Sequence, residues 1–278
     1  MSILICPNCG QPLTLSENGK TFCCLGGHSF DRAKEGYVNL LVGSKSGDTR
    51  GDSRESARAR HAFLDLDYYK VLKDKMMHFI EENKPENILD ICCGEGYYDV
   101  LPEESESSFF GFDISKEMVR LASKRFAHEQ PARHQYFVGN LAHIPAASGS
   151  VDMAMHLFAP FHEEEFTRIL SENGILYSVS PGENHLWEMK EVLYDEPYKN
   201  DEKAPETKTL TLASRTKVTD HVKIGREDLK TLFGMTPYFY HTSDENKTRL
   251  EEVGETPETG IDLTVEFVIL EYRKGIQL

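Results

Sequence analysis

"NILDICCGEGYY", residues 87–98, decides how this 278-residue chain folds. Ile88, Leu89 and Ile91 make a short apolar run, the length of one strand covered on both faces. Gly94-Glu95-Gly96 supplies a tight turn, because glycine reaches φ > 0 without steric cost. A helix is expected to begin near Tyr97. Downstream the alternation repeats. "SFFGFD" (108–113) reads as a strand, followed by a helix that Ser115 can cap, with Met118, Val119, Ala122 and Phe126 on one face. "HQYFVGN" (134–140), "SVDMAMHLF" (150–158) and "GILYSVS" (174–180) give three more strands, with a helical "HEEEFTRIL" (162–170) before the last. Upstream, "FLDLDYYKVLKDKMMHFIEEN" (63–83) places Tyr69, Leu72, Met76, Phe79 and Ile80 at helical spacing, and Lys84-Pro85 ends the helix. Alternating strands and helices predict an α/β fold with a doubly wound, parallel sheet. "DEPYKNDEKAPETK" (195–208) reads as an exposed linker and "EEVGETPETG" (251–260) as a loop, while "TLTLASRTKVTD" (209–220) and "DLTVEFVILEY" (262–272) would extend the sheet.

In such a sheet a ligand sits beyond the C-terminal strand ends, beside the first glycine-rich turn. Asp113, closing the second strand, is placed to hold ribose hydroxyls. The turn lacks G-x-G-x-x-G, so it offers no diphosphate cradle. Asp90 at the strand end repels phosphates and suits a cationic or amine-bearing ligand. This combination resembles the S-adenosylmethionine site of class I, Rossmann-like methyltransferases. The resemblance implies Asp90 near the cofactor's methionine end, Gly94 and Gly96 letting the backbone approach, and Asp113 on the ribose, within a loop that runs on to Tyr97. These enzymes read D-x-G-x-G-x-G, and here Cys92 stands at the first glycine. A side chain there narrows the pocket; a small one calls for adjustment rather than loss.

The N-terminus carries a second signal, "CPNCGQPLTLSENGKTFCCLGGH" (6–28). Cys6 and Cys9 are spaced as a metal knuckle whose turn Gly10 relaxes. His28, with Cys23 or Cys24, completes a tetrahedral set; spacing does not decide between them, and Cys24 is the expected ligand with Cys23 as its neighbour. The residues between read as a hairpin with Asn18-Gly19 at its turn, which brings both ligand pairs to one end. Three thiolates and an imidazole suit a closed, structural Zn²⁺, one per chain, that stabilises a segment too small to hold a core. A small zinc-ribbon domain is therefore expected over 1–40, a linker with N-terminal helices over 41–84, and the sheet domain over 85–278.

Composition bounds the rest. No run approaches the roughly 18 apolar residues of a membrane span, and the N-terminus does not read as a signal peptide. A cytoplasmic chain with reduced thiols and no membrane partner is expected. The net charge is −15, but residues 1–60 carry a local +2 and the remainder −17. "TRGDSRESARAR" (49–60) places four arginines in twelve residues, either a basic patch for nucleic acid or a solvated helix face.

Taken together, the CPxCG knuckle, "HSFDRAKEGYVNLL" (28–41), "ARHAFLDLDYY" (59–69), "LDICCGEGYY", "FDIS", "SPGENHL" (180–186) and "MTP" (235–237) resemble one family over nearly the whole chain. It is the bacterial 23S rRNA guanine-N1 methyltransferases of the RlmA type. The resemblance implies zinc ligands Cys6, Cys9, Cys24 and His28. It also implies cofactor contacts at Tyr69, Gly94, Glu95 and His185, and a homodimer whose zinc domains help grip a 23S rRNA hairpin. One branch of the family contributes to resistance against macrolides such as tylosin, and "CCxxxHSFD" and "SPGENHL" are similar to it. Guanine N1 carries a proton that some group must accept. An Asn-Pro-Pro-aromatic motif is absent after the fourth strand, where "HLFAPFH" (156–162) stands; His156 and His162 are expected to be structural or exposed. Two other readings are a non-catalytic RNA- or protein-binding module disabled by Cys92 and a small-molecule methyltransferase, which the acidic charge would suit.

Overall fold

In the computed structural model, residues 3–43, 60–127 and 133–275 are described; the arginine-rich stretch 49–60 lies outside them except for Arg60. β1 (Thr14–Leu15), β2 (Thr21–Cys23) and β3 (Ser29–Asp31) form an antiparallel ribbon, turned at Gly19, whose φ is +69°. Asn18 Oδ1 accepts from the Lys20 N–H at 3.0 Å and locks that turn. β4 (Val38–Asn39) then leaves the ribbon and pairs in parallel with β7 (His134–Val138) at the edge of a second, eight-stranded sheet.

That sheet also contains β5 (Asn87–Ile91), β6 (Ser108–Asp113), β8 (Val151–Leu157), β9 (Leu170–Pro181), β10 (Leu210–Ile224) and β11 (Ile261–Lys274). Their order is β10-β11-β9-β8-β5-β6-β7-β4. The strands from β9 through β4 run parallel, and the β10/β11 hairpin adds antiparallel to β9. Since β6 lies on one side of β5 and β8 on the other, the topological switch falls at the C-terminal end of β5. The doubly wound α/β sheet read from the sequence is the one observed, as is the ribbon ahead of it.

Both faces are covered. On one, α1 (Lys70–Asn83) buries Leu72, Met76, Phe79 and Ile80 against Ile88, Met153, Tyr177 and Phe267. On the other, ribbon residues Leu4, Leu13 and Phe22 share one apolar layer with Leu89, Ile91, Phe110 and Phe112. The ribbon is also stitched to a loop before β8: Ile5 N–H donates to Pro145 O at 3.0 Å and Ala147 N–H to Ile3 O at 2.8 Å. α2 (Lys116–Phe126) packs Val119, Ala122 and Phe126 on Tyr136, and its N-terminus is capped by Ser115, which accepts from the Met118 N–H. α3 (Glu163–Ile169) precedes β9 as expected.

Two local expectations are overturned. No helix follows the glycine turn; residues 97–107 run in turns up to β6. Pro102 interrupts this connection; Ser107 N–H donates locally to Ser105 Oγ at 3.2 Å, and Ser107 Oγ donates back to Pro85 O at 2.5 Å. Asp99 is drawn wholly inward instead of lying on a helix. The helix over 63–83 is also broken. Residues 60–64 are helical, 65–69 turn, and α1 starts at Lys70. Asp67 takes φ +60° there, and its carboxylate accepts from the Tyr97 hydroxyl at 2.8 Å and binds Lys73. This bend places Tyr69 at the mouth of α1.

The 195–208 segment has no regular structure, yet it is fastened. Asn200 Nδ2 donates to Gly182 O and His185 O, and its Oδ1 accepts from Lys190 Nζ at 2.7 Å and Tyr238 OH at 2.6 Å. The segment is a strap rather than a free linker.

Candidate functional site

The ribbon brings four ligand atoms together. Gly10 N–H donates to Cys6 O at 2.8 Å with Gly10 at φ +70°, and Gly27 N–H to Cys24 O at 3.1 Å, so each knuckle is a backbone-bonded turn. Cys6 Sγ lies 3.6 Å and Cys24 Sγ 3.5 Å from His28 Nδ1; Cys9 Sγ lies 3.6 Å from Cys24 Sγ. All four atoms fall within 4.8 Å of one another. A tetrahedral Zn²⁺ with bonds of about 2.3 Å to sulfur and 2.0–2.1 Å to nitrogen spaces its donors by roughly 3.5–3.8 Å. The cage therefore fits such an ion. Cys23 ends β2 and faces solvent, so Cys24 completes the set.

At the switch point the chain turns sharply. Cys92 has φ +61°, Gly94 +56° and Gly96 +75°. At Cys92 a bulky or branched side chain would be strained, which is why glycine suits the position. A Cβ on Gly96 would meet Ala122 and the Asp99 carboxylate at 3.1 Å each, so Gly96 lets the loop press on α2. A Cβ on Gly94 would meet nothing within 4 Å; space lies open above it. Asp113 Oδ2 accepts from the Gly94 N–H at 3.1 Å and Oδ1 from the Ser115 N–H at 2.8 Å, which fixes its carboxylate beside the loop. The Cys92 side chain packs against the apolar layer beneath the ribbon, and burial, then the nearby Asp113 and Asp90, push its thiol up to about 12.

The site is rich in buried acid. Asp90, Glu95 and Asp99 are almost fully enclosed, and Asp90 Oδ1, Glu95 Oε1 and Asp99 Oδ1 each lack a hydrogen-bond partner. Burial, and then Asp99, hold the Asp90 carboxyl protonated well above the usual carboxylate range; it donates to Asp99. Asp99, raised by burial to about 6, also accepts from Tyr136 OH at 2.9 Å. Glu95 is bound by Arg125 at 2.6 Å and by His61, and Arg125 reaches Asp65 at 2.8 Å. Orphaned carboxyl oxygens below an open backbone suit a ligand that brings positive charge and hydrogen-bond donors. S-adenosylmethionine, with its sulfonium and ammonium, fits that donor set.

Tyr69 and His185 meet nearby. His185 Nδ1 accepts from the Glu266 N–H at 3.2 Å, so the ring proton sits on Nε2 and is donated to Tyr69 Oη at 3.3 Å. Burial and then Lys190 push the imidazole down to about 3, so it stays neutral. The Tyr69 hydroxyl, accepting from His185, keeps its own proton to give.

Comparison with known proteins follows the same division. Residues 4–46 match the family model for the RlmA N-terminal zinc ribbon, and residues 88–179 match a methyltransferase domain. A 23S rRNA (guanine(748)-N(1))-methyltransferase of Streptomyces fradiae is 33% identical over 196 residues, covering 68% of this chain and 67% of that protein. The chain belongs to the RlmA-type 23S rRNA (guanine-N1)-methyltransferase family. A Micromonospora griseorubida protein provisionally named as a 23S rRNA (guanine-N(1)-)-methyltransferase is 28% identical over 269 residues, covering 88% of this chain and 89% of that one. Geranyl diphosphate C-methyltransferase of Streptomyces coelicolor A3(2) superposes with a TM-score of 0.44 at 13% identity, over 73% of this chain and 76% of its own.

For this member of the RlmA-type family, Asp90, Gly94, Glu95, Gly96, Tyr97 and Asp113 all gather at the end of β5, and Tyr69 and His185 form a hydrogen-bonded pair. Glu95 departs from a simple ligand contact, because its Oε2 is bound by Arg125 and His61 and only Oε1 is left without a partner. Tyr97 likewise turns its hydroxyl to Asp67. His156 is buried and neutral, held down to about 4 by burial. Sequence reading missed Asp99 and Arg125. Asp99 fell within the helix expected from Tyr97; its one signal was an acid directly after paired tyrosines, in a connection that Pro102 breaks.

Proposed function

We propose that the chain transfers a methyl group from S-adenosylmethionine to N1 of a guanine in a 23S rRNA hairpin loop, working in the cytoplasm as a homodimer. The observation that carries this reading is the set of enclosed carboxyls at the β5 turn beneath the open face of Gly94, on a chain that also builds a Cys₃His cage. The cofactor when bound supplies an electrophilic methyl. Asp113 would hold the ribose, Asp90 and Asp99 would face the cationic end, and the Tyr69 hydroxyl would donate to its carboxylate. Gly94 and Gly96 would bring backbone close, while Glu95 and Tyr97 hold the loop through Arg125, His61 and Asp67. Positioning then does most of the work of an in-line displacement. Cys6, Cys9, Cys24 and His28 would hold a structural Zn²⁺ that keeps the ribbon shaped for RNA.

Against a non-catalytic module, the Cys92 side chain packs away into the apolar layer while the space over Gly94 stays open. Mass mapping of 23S rRNA from a deletion strain, with and without the gene restored, tests the reading. A hairpin guanine gains one methyl only in the restored strain; equal modification in both strains refutes it. Because one relative is named for guanine 748, that position is the first to inspect, together with growth on tylosin.

A further inference from the structure

β8 ends at Leu157, and the residue that follows behaves unlike its neighbours. Phe158 takes φ +56°, a backbone that a bulky aromatic rarely adopts, and 45% of its surface stays exposed. Such strain persists only where surrounding structure imposes it, and it concentrates at functional sites. Here the imposing parts are visible. Phe158 N–H donates to Val179 O at 3.1 Å, which holds the residue in line with β9. His156 clasps the turn from below: Pro160 O can only accept, so Nε2–H donates to it at 3.2 Å and Nδ1 takes the Ser178 hydroxyl at 3.0 Å. The ring of Phe158 rests 5.7 Å from Phe267 and 6.4 Å from Tyr98, centroid to centroid, and Phe267 in turn touches Tyr69 and His185.

Strand order says which molecule this ring can meet. A nucleoside held by Asp113 occupies the β6 side of β5. Phe158 extends from β8, on the opposite side of β5, and two strand spacings amount to roughly 10 Å. The cofactor's base therefore lies away from it, and the group that accepts the methyl approaches on its side. We propose that Phe158 is the platform on which the target guanine stacks after leaving its loop. This rests on the reading of the chain as an RNA guanine methyltransferase. A base pulled from its neighbours loses stacking on both faces, and one aromatic face restores part of it.

The test uses the full chain, a transcript of the 23S hairpin and S-adenosylmethionine, with Phe158→Leu and Phe158→Trp compared to wild type. Phe158→Leu is expected to lower kcat/KM for the hairpin by about ten- to a hundred-fold, from the typical worth of one base–aromatic stack. Cofactor affinity by calorimetry should stay within about twofold and the melting midpoint should hold, because the exposed ring supports little core. Phe158→Trp should recover most of the rate. Wild-type kcat/KM in the leucine variant overturns the proposal, as does an equal fall in both variants or a parallel loss of cofactor affinity. If the wild-type chain methylates no 23S hairpin, the functional reading fails and this proposal with it.

Discussion

Asp99 is the residue on which the site's electrostatics turn. Its carboxyl is wholly enclosed, shares a hydrogen bond with the protonated Asp90, and titrates near 6 instead of 3.8. A folded-state pKa above the unfolded one means that stability is fullest below about pH 4 and declines as pH rises through 6. Asp99→Asn removes that decline. At pH 8 the variant should be more stable than wild type by about 3 kcal/mol in urea unfolding, at roughly 1.36 kcal/mol per pKa unit, and equal to it near pH 4. The same substitution should weaken S-adenosylmethionine binding, a trade between stability and function. Asp90 leads to a second measurement. A cationic ligand favours the ionised carboxyl, so cofactor binding near pH 6.5 should release protons. Calorimetric enthalpies would then depend on the ionisation heat of the buffer; buffer-independent enthalpies would show that the pair does not face the charge. Asp90's preference for a cation was legible from its place at the strand end, but its pairing with Asp99 was not, because that pairing exists only once the connection folds inward.

Among the elements, α2 and the glycine loop are held together by charge. Arg125 near the end of α2 binds Glu95 of the loop and Asp65 of the 65–69 turn, with His61 on the same carboxylate. Removing one partner of an enclosed ion pair costs about 3–5 kcal/mol, because the other is left bare. Arg125→Met should therefore lower the urea midpoint sharply and weaken cofactor binding, whereas Arg120→Met, whose partner Glu117 lies on the same helix, should cost about 0.5 kcal/mol or less. The ribbon makes a different claim. Co²⁺ bound by three thiolates and an imidazole gives strong visible absorption; Cys24→Ser should abolish it in the full chain and Cys23→Ser should leave it intact. The strands, the Ser115 cap and the metal knuckles were readable because each depends on local spacing. The missing helix after Gly96 and the break at 65–69 were not, because Asp99 and Asp67 are captured by Tyr136 and Tyr97 from elsewhere in the chain.

For the whole molecule, sequence order foretold the layers well: alternation gave the parallel sheet, and the two final runs, read as extending it, do so as the β10/β11 hairpin. It gave no hint that the ribbon shares a core with the sheet, since Leu4, Leu13 and Phe22 find Phe110 and Phe112 only in three dimensions. That shared layer, the two backbone bonds to the loop before β8, and β4 on the edge of β7 tie the metal cage to the sheet that carries the β5 turn. On the proposal that the ribbon grips the RNA, the distance from the cage to the methyl-transfer point is a built-in gauge. An RNA gripped at one end has its reacting base selected by how far along the stem that base lies, as a caliper picks a length. A transcript lengthened by one base pair below the loop should present the wrong nucleotide and react slowly, even with every loop base unchanged.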